Sequence, residues 1–534
     1  MRPETPVPTS AELVRSAPTA PTPSHRSARD KIRTIEELGE IVERSKMAGK
    51  TVVHAHGAFD LLHLGHVRHL EAARQLGDIL IVTLTADSFV NKGPGRPVFA
   101  EQMRAEMLAA LEYVHWVGIN RAADAVSAIE TIKPTLYVKG QDYVNPQGDV
   151  TGKITNEREA VERCGGRIAF TDEVTYSSSE LINRHVNVFE PHVRDHLQGL
   201  RQNGGLDHLI ALIDSIKDYR VLFVGDAILD EYQYVVPMGK SAKENMIATR
   251  YQDRELFAGG VFAAANHLAG FCRQVDILTC LGGSDSHEEF IREHLKPNVN
   301  MTAIERPGAP TTLKRRFIDP SYMRKLFEVY LMDDDPLPPD QLRTIDRWIA
   351  KFAPEYDLIV VTDFGHGLIG PSTVEALIKG ARFLAVNAQS NSANAGFNLI
   401  TKYPRADYIC IDGQEARLAA HDRTASLGEI AGTRLLELVD CGKLIVTQGK
   451  HGCLTVEAGK PYHSIPALAK SVIDTVGAGD AFLAITSPLV AAGGALEHVG
   501  FIGNVVGALK VGVVGHRSSI DKASVIKSIT ALLK

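Results

Sequence analysis

Two short strings of residues have the types and the spacing for chemistry on phosphate groups. The string HGAFDLLHLGH occupies positions 56–66, and the string DTVGAGDAF occupies positions 474–482. Each combines small residues, which let a phosphate approach backbone N–H groups, with side chains that can bind an anion or move a proton. The sequence therefore predicts two separate sites that act on phosphate groups.

In the first string, His63 and His66 are three residues apart, with Gly65 between them. Residues at this spacing share one face of a helix. At a helix N-terminus, free N–H groups and the helix dipole attract an anion, and two imidazoles can bond the α-phosphate of a nucleotide as charge builds in an in-line displacement. The alternative is a pair of ordinary surface histidines, but the preceding strand and the following helix favour the nucleotide site.

The second string leads directly into an apolar helix. Gly477, Ala478 and Gly479 are small enough for successive N–H groups to point at one anion, which predicts a nest for the γ-phosphate of a nucleotide. Asp480 follows inside that nest, where a carboxylate can accept the proton of an attacking hydroxyl. An ordinary N-cap in a glycine-rich turn is the alternative, and the length of the string argues against it.

The elements around both strings alternate between strand and helix. TVVHAHGAF, DILIVTLTAD, HWVGI, TLYVKG and RIAFTD are strand-like in the first half, as are RVLFVGD, VDILTCLGG, DLIVVTDFG, ARFLAVN, ADYICID and KLIVTQG in the second. This alternation predicts parallel sheets covered by helices, with ligands at the carboxyl ends of the strands. The expected fold class is α/β, with two doubly wound domains.

Length and composition set the domain boundaries. The chain has 534 residues, which favours two large domains. We expect a disordered Pro-rich tail at 1–30, a first domain at 31–187, a helical linker at 188–218 and a second domain at 219–534. Residues Thr34–Ala48 are expected to form a helix with Thr34 as its N-cap.

Charge and composition limit the kinds of binding partner and the cellular compartment that we expect. The net charge of −6 argues against nucleic acid as a partner, because such proteins usually present a basic face. The 6 cysteines form no CxxC pair and are expected to be reduced. There is no run of 18 apolar residues and no apolar segment near the N-terminus, so we expect no membrane association and a cytoplasmic protein.

The first string resembles the signature of the cytidylyltransferase-like nucleotidyltransferase family, over about Thr51–Arg184. The resemblance implies a Rossmann-like domain in which His63, His66 and Lys92 are catalytic, with Arg104 as a further supporting cation. The nucleotide-binding residues it implies are Phe59, Gly65, Arg96, Ser178 and Ser179.

The second string resembles the ribokinase-like sugar kinase family, over roughly Arg220–Lys534, which implies an α/β/α sandwich with Asp480 as the catalytic base. The nucleotide-binding residues it implies are Asp412, Glu415, Thr447, Gly449, Gly452, Gly477, Ala478 and Gly479. The substrate-binding residues it implies are Asp226, Asp230, Gly259, Gly260 and Asn266. Asp363 ends a strand and is a further candidate for the same cleft.

The sequence differs from the kinase pattern at three places, mainly at positions expected to face the substrate. Asp412 replaces a usual Asn, Ala263 stands where an Asn is expected, and Val386–Asn391 replaces an Asp-Pro-Lys segment. The four basic residues Arg315, Arg316, Arg324 and Lys325 are candidates for holding a substrate phosphate, and solvated charges on paired strands are an equally good interpretation.

The combination of the two halves resembles the bifunctional ADP-heptose synthases, in which the kinase comes first; here the order is reversed. This resemblance implies a sugar-phosphate kinase followed by a nucleotidyltransferase, with ATP as substrate and Mg²⁺, whose ligands we do not assign. One alternative is a CTP-dependent enzyme for another sugar or polyol phosphate. Another is a chain in which one half has lost catalysis and serves as a ligand sensor or oligomerisation module. A homo-oligomer is expected because most oligomers are of this kind.

Overall fold

The computed structural model describes residues 27–90, 96–141, 153–171, 189–202, 205–241, 243–333, 335–392 and 394–534. They form two compact units, the first holding residues 27–90 and 97–171 and the second holding residue 96 and the residues from 189 onward. Within the described residues, no helix combines the length and the apolar character needed to span a bilayer.

The first unit is built on one parallel sheet. Its strands are β1 (Ile32–Arg33), β2 (Val52–Gly57), β3 (Ile79–Thr85), β4 (Trp116–Asn120), β5 (Leu136–Gly140) and β6 (Arg167–Thr171). Its helices are α1 (Ile35–Met47), α2 (Leu64–Gln75), α3 (Glu101–Ala109), α4 (Val126–Ile132) and α5 (Lys153–Arg163). The strand order is β1-β4-β3-β2-β5-β6, and every pair is parallel.

Both faces of this sheet are buried. Successive side chains of a strand point to opposite faces. On β3, Leu80 and Val82 therefore join one apolar cluster, whereas Ile81 joins another together with Leu38 of α1. This is the doubly wound arrangement that the uninterrupted apolar strands predict.

The start of the described chain differs slightly from the expected boundary. Ala28–Lys31 form a 3-10 turn capped by Ser27, so the boundary expected at residue 30 falls inside an element. The expected N-cap of α1 is confirmed: Thr34 Oγ1 accepts the N–H of Glu37 at 3.2 Å, and the Glu37 carboxylate accepts the N–H of Thr34 at 2.8 Å.

The second unit contains a nine-stranded sheet and a four-stranded sheet. Its main strands are β7 (Arg220–Gly225), β8 (Ala227–Lys240), β9 (Ile247–Gly259), β10 (Gln274–Ser284), β11 (Val299–Pro310), β12 (Thr312–Asp319), β13 (Arg324–Leu331), β14 (Leu358–Asp363), β15 (Leu384–Ala388), β16 (Arg405–Ala406), β17 (Tyr408–Asp412), β18 (Asp440–Cys441), β19 (Lys443–Thr447), β20 (Cys453–Glu457) and β21 (His463–Ile465). The large sheet has the order β11-β10-β7-β14-β15-β17-β19-β20-β21, and the smaller one has the order β13-β12-β8-β9.

Helices cover both faces of the nine-stranded sheet. They are α6 (Pro191–Gln202), α7 (Gly205–Ser215), α8 (Gly260–Leu268), α9 (Glu288–Glu293), α10 (Pro339–Phe352), α11 (Pro371–Gly380), α12 (Gly413–Ala419), α13 (Leu427–Glu429), α14 (Leu435–Leu438), α15 (Ala478–Ala491), α16 (Leu496–Lys510) and α17 (Lys522–Leu533). The sheet is parallel from β11 to β19, and β20 pairs antiparallel with both β19 and β21. Two large apolar clusters lie on its two faces, which makes an α/β/α sandwich.

The segment expected to be a linker is helical, as predicted, but it is part of the second unit. Val193 and Leu197 of α6 and Leu209 and Ile213 of α7 are buried in the same apolar cluster as the α15–α17 helices. An Nη2 group of Arg201 in α6 also donates to a carbonyl oxygen in α17. The sequence of this segment predicts a connector because its apolar residues form only a narrow stripe along the helices. In the structure, the rest of the second unit packs against that stripe and buries it.

Candidate functional sites

The first candidate site lies where β2 ends and α2 begins. His63 is the N-cap of α2, and its Nδ1 accepts the N–H of Gly65 at 3.1 Å. The ring of His66 stacks on the ring of His63, with centroids 3.9 Å apart. The structure therefore brings both motif histidines to one helix N-terminus, where an anion is stabilised by the dipole.

The turn that precedes the histidines is held in an unusual backbone conformation. Phe59 has φ +47°, and its ring edge packs on His66 with centroids 5.1 Å apart. Asp60 is fully buried and accepts the N–H of Val98 at 2.6 Å. Phe59 therefore supports His66 by packing, and Asp60 ties this turn to the segment that precedes α3.

Arg104, considered as a supporting cation, is a structural tie in the described part of the unit. Its side chain is fully buried, and its guanidinium donates to the carbonyl oxygens of Ala58, Phe99 and Thr85 and to the Asp87 carboxylate. A guanidinium used in this way fixes the turn after β2 against β3 and α3.

Two further histidines lie on the elements that carry the motif, His54 on β2 and His69 on α2. The sequence analysis did not single them out. His69 shares a 2.7 Å hydrogen bond with Thr171, and burial together with the Lys139 ammonium lowers its pKa to about 4. His54 is fully buried beside Thr83, and burial lowers its pKa to about 3. The three-residue spacing of His66 and His69 is a signal that would have placed His69 on the same helix face.

Part of the first site lies outside the described residues. Lys92, Ser178 and Ser179 fall there, and their roles stay predictions. Arg96 is described and partly buried, and Lys139 pairs with Glu157 at 2.9 Å.

The second candidate site is centred on the turn before α15. Gly477 is the N-cap of this helix with φ +73°, a left-handed conformation that favours glycine. A Cβ on Gly477 would lie 2.4 Å from Cε1 of His516, so the turn is closely packed as well. Asp480 sits in the first turn of α15 and is 8% exposed. The predicted arrangement of small residues and a carboxylate at a helix N-terminus is therefore present.

Asp480 is buried but not isolated. Gln389 Nε2 donates to Asp480 Oδ1 at 2.9 Å. Burial raises the pKa of Asp480, with His516 and Gln389 acting in the opposite direction and the Asp230 charge adding to the rise. A carboxylate with a raised pKa is a stronger base than an exposed one, which suits it to take a proton from a hydroxyl.

Asp230, expected to bind the substrate, lies on another side of this site. Its Oδ2 lies 3.2 Å from His516 Nε2, and its Oδ1 pairs with Arg316. Burial opposes ionisation, but Arg316 and His516 outweigh it and hold the pKa of Asp230 well below its usual value. A Cβ on Gly259 would lie 2.1 Å from Asp230 Oδ2, so only glycine leaves room for the carboxylate. Gly260 follows with φ +50°.

The residues expected on the nucleotide side lie at the ends of β17 and β19. Asp412 caps α12 by accepting the N–H groups of Gln414 and Glu415 at 2.7 and 2.8 Å, and Glu415 accepts the N–H of Asp412 at 2.8 Å. Burial and the Asp412 charge raise the pKa of Glu415 to about 8. Asp412 thus caps the helix, a role for which Asn and Asp are about equally suited.

The loop after β19 turns back sharply. Thr447 ends the strand, Gly449 and Gly452 both have positive φ, and the N–H of Gln448 donates to the carbonyl of Gly452 at 2.7 Å. A Cβ on Gly452 would lie 2.0 Å from the carbonyl oxygen of Ile465, which accounts for the glycine there.

Two residues assigned to the substrate side have other partners. Asp226 accepts the N–H groups of Phe364, His366 and Leu368, so it anchors the loop after β14. Asn266 bonds the backbone around His294 and Lys296, and the structure does not bring it to the Asp230 group.

Asp363 is likewise engaged, by Lys402 and Tyr403 at 2.7 Å each. Lys325 pairs with Asp474 at 2.9 Å, and Arg315 pairs with Glu231. Of the four basic candidates, Arg316 is the one that contacts Asp230.

The sequence analysis missed His516 and Gln389. Both reach the site only because parallel strands and the α15 turn converge at one sheet edge. Gln389 lies within the segment that was singled out as a departure, which is a partial signal, whereas nothing in the string around His516 marks it.

Two family models match this chain. The model described as pfkB family carbohydrate kinase matches residues 220–523, and the model described as Cytidylyltransferase-like matches residues 54–184. Among curated proteins, the chain is similar to the "Bifunctional protein HldE" of Syntrophotalea carbinolica, with 40% identity over 163 residues, which are 30% of this chain and 32% of that protein. The protein of the same name from Geobacter metallireducens is 41% identical over 146 residues, 27% of this chain and 28% of its own length. These matches span about a third of each relative.

Two solved structures are similar to part of the chain. A ribokinase described as putative, from Agrobacterium tumefaciens, gives a TM-score of 0.48 at 18% identity, covering 59% of this chain and 99% of its own. The ribokinase of Arabidopsis thaliana in complex with ribose and ATP gives a TM-score of 0.45 at 17% identity, with coverage of 59% and 99%.

Proposed function

The chain belongs to the pfkB family of carbohydrate kinases, and from this premise we propose that it phosphorylates a sugar phosphate at the second site and couples the product to a nucleotide at the first. The observation that carries the kinase half is the placement of Asp480 at the α15 N-terminus, next to Gln389 and close to the Asp230–His516 pair.

In the kinase reaction, Asp230 accepts a hydrogen bond from a sugar hydroxyl and so orients the ring. Asp480 takes the proton of the reacting hydroxyl while its oxygen forms a bond to the γ-phosphorus of ATP. The bond to the β-phosphate oxygen breaks, and ADP leaves. The N–H groups of the 477–479 turn stabilise the charge on the transferring group.

In the second reaction, an oxygen of the new sugar phosphate attacks the α-phosphorus of a nucleotide and pyrophosphate leaves. His63 and His66 stand at the α2 N-terminus to stabilise the charge that develops on the α-phosphate. Lys92, Ser178 and Ser179 are proposed to neutralise the sugar phosphate and the leaving pyrophosphate.

Mg²⁺ is proposed to assist both reactions by neutralising phosphate charge. In the described part of the chain, no group of three or more His, Cys, Asp or Glu side chains is arranged to hold a metal ion. In phosphoryl-transfer sites a magnesium ion is commonly held by nucleotide phosphates and one or two carboxylates, and we propose the same arrangement here.

The substrate we propose is heptose 7-phosphate, which the second site converts to heptose 1,7-bisphosphate. A separate phosphatase must then hydrolyse the 7-phosphate ester and release inorganic phosphate, after which the first site couples the heptose 1-phosphate to a nucleotide as an ADP-sugar. The support is the pairing of two domain types and the likeness of the chain to proteins named as bifunctional. Incubation with heptose 7-phosphate and ATP should give the bisphosphate, and heptose 1-phosphate with ATP should give ADP-heptose and pyrophosphate. Absence of both products from a preparation that binds ATP would refute the heptose assignment.

A CTP-dependent transfer is the second candidate, because His63 and His66 act on phosphates and carry no information about the base. Release of pyrophosphate with each of ATP, CTP, GTP and UTP, with heptose 1-phosphate as acceptor, decides between them. A rate with CTP that exceeds the rate with ATP would favour a cytidylyltransferase.

Paired substitutions separate the two activities. We expect Asp480→Asn to lower the kinase turnover by at least about 100-fold, since general-base catalysis contributes roughly 10²–10⁴-fold, and to leave pyrophosphate release unchanged. We expect His63→Ala or His66→Ala to do the reverse. Each variant is the control for the other, and loss of both activities in any one of them would contradict two independent sites.

The four-stranded sheet supports a proposal of self-association. Ile247, Tyr251, Phe327 and Val329 on its strands are between 43% and 65% exposed. Ile247 and Tyr251 lie on one edge strand, β9, and Phe327 and Val329 lie on the other, β13, and burying them against a second copy would remove apolar surface from water. Sedimentation equilibrium of the wild-type chain and of a Phe327→Lys variant tests whether this sheet joins two copies.

A further inference from the structure

Lys510, at the end of α16, is a completely buried lysine. It is 0% exposed, and its Nζ donates to the carbonyl oxygen of Val476 at 2.8 Å and to that of Gly515 at 2.7 Å. Lysine is almost never fully buried unless its ammonium is paired. Here its partners are backbone oxygens of two segments that meet at the second candidate site, which points to a role beyond packing.

The Val476 carbonyl belongs to the peptide group that supplies the N–H of Gly477, the N-cap of α15. In a trans peptide group, the C=O and the N–H point in opposite directions. Because Lys510 holds the carbonyl, the Gly477 N–H is directed away from the ammonium, to the other side of the turn. A cation on the carbonyl also polarises the peptide group and makes its N–H a stronger donor to an anion.

The Gly515 carbonyl lies at the other end of the same contact. Gly515 precedes His516, whose Nε2 lies 3.2 Å from Asp230 Oδ2, and the Gly515 N–H donates to Asp474 Oδ2 at 2.8 Å. Lys510 therefore joins the segment that leads into the α15 turn to the segment that carries His516. A shift of one segment relative to the other would break one of its two hydrogen bonds.

The charge of Lys510 also acts on the carboxylates of the site. Burial lowers the pKa of Lys510, and the Lys325 charge adds to this, whereas the charges of Asp474, Asp480 and Asp230 work in the opposite direction. In return, the Lys510 charge favours the ionised form of Asp480 and lowers its pKa. A positive charge thus lies behind the turn where the proposed base must stay ionised.

We propose that Lys510 is a positioning residue of the kinase site, whose ammonium fixes the Val476–Gly477 peptide group so that the Gly477 N–H binds the γ-phosphate of ATP. This inference rests on the proposed kinase function and adds a residue that lies outside both phosphate strings. Lys510 acts through the turn and not through the sugar. Its removal should therefore weaken binding of a nucleoside triphosphate more than binding of a diphosphate, whichever sugar is the acceptor.

The test uses Lys510→Met in the full chain. The methionine side chain ends about where Cε of the lysine lies, so it keeps the apolar stem and leaves the space of the ammonium to an added NH₄⁺ ion. Lys522→Met on α17 is the matched control, because it removes an ammonium that pairs with Asp214 at 2.6 Å, away from the α15 turn. Lys510→Ala, purified in NH₄⁺, serves in the same assays if Lys510→Met is unstable.

Nucleotide binding at this site is followed through His516, whose Cε1 lies next to Gly477. With ¹³C at histidine Cε1, its resonance is identified by its absence from His516→Gln. Titration with a non-hydrolysable ATP analogue and with ADP should show that Lys510→Met weakens the analogue on the order of 10-fold, the effect of losing a hydrogen bond to a charged group, and leaves ADP unchanged. NH₄⁺ should restore the analogue, and tetramethylammonium at the same concentration, which has no N–H, should not.

The kinase assay adds a second comparison. Turnover of heptose 7-phosphate should fall at least about 10-fold in Lys510→Met and recover in NH₄⁺, while pyrophosphate release at the first site stays unchanged. Equal weakening of the analogue and ADP, or a loss that NH₄⁺ does not reverse, would overturn the role of Lys510. A selective and reversible loss of the analogue in an enzyme that does not phosphorylate heptose 7-phosphate supports Lys510 and refutes the heptose alone. A His516 resonance that neither nucleotide moves in the wild-type chain would refute the kinase site and this inference together.

Discussion

The carboxylate of Asp480 must be ionised in a buried setting before it can take a proton. Burial works against this, and the 2.9 Å bond from Gln389 and the nearby His516 work in its favour. The amide of Gln389 also leaves the second carboxylate oxygen, Oδ2, available for the substrate hydroxyl. We therefore propose Gln389 as a positioning residue for the proposed base.

Replacing Gln389 should change the pH dependence of the kinase. The Gln389 bond lowers the pKa of Asp480, so Gln389→Ala should raise it further. Because the base works only when ionised, kcat/KM falls as the pH decreases through this pKa, and the acidic limb of the profile should move to higher pH. The measurement is kcat/KM against pH for both proteins. Gln198→Ala on the exposed face of α6 is the control, and an unmoved acidic limb in Gln389→Ala would contradict the role.

At the scale of the elements, the stability of the turn before α15 depends more on Gly477 than on the neighbouring residues. Gly477→Ala should lower the free energy of unfolding of the second unit by at least about 1–2 kcal/mol, the cost of a left-handed conformation for a residue with a Cβ, and the contact with His516 adds to this. Denaturant unfolding followed by the fluorescence of Trp348 measures it.

The matched variant is Gly479→Ala, two residues further on. A Cβ at this position would meet nothing within 4 Å, and the residue lies within the helix. Its stability should be unchanged or slightly raised, because alanine favours a helix by up to about 1 kcal/mol over glycine. Equal losses of stability in the two variants would show that conformation and packing at Gly477 are not the cause.

Most strands of the two parallel sheets could be predicted because each is an apolar run of ordinary length between turn residues, and the two phosphate strings could be placed because each sits between a strand and a helix. The strands of the four-stranded sheet were not predicted, since a strand such as the 14-residue β8 mixes charged and apolar residues. The register of β8 with β12, which sets Lys314 beside Asp230, could not be predicted. The same is true of His516, since its place depends on which loops of the sandwich meet at one edge. Asp226 also differs from the substrate-binding role that its motif implies, because its carboxylate accepts hydrogen bonds from backbone N–H groups.

At the scale of the whole chain, the placement of α6 and α7 sets where the kinase unit begins. A fragment of residues 189–534 should be several kcal/mol more stable than one of residues 219–534. The shorter fragment loses the buried side chains of Val193, Leu197, Leu209 and Ile213, each worth at most about 1.5–3 kcal/mol. Guanidinium unfolding of the two fragments measures the difference, and equal midpoints and slopes would show that these helices are a dispensable connector.

The hydrogen bond from Arg201 of α6 to the carbonyl oxygen of Leu532 in α17 is 2.7 Å long and joins residues 331 positions apart in the chain. During synthesis from the N-terminus, α6 therefore leaves the ribosome long before its partner exists. The first unit has all its strands by then and can fold as an independent domain. The kinase unit closes only when the last helix emerges, so its apolar α6 and α7 surfaces stay open to chaperones for the whole of that interval.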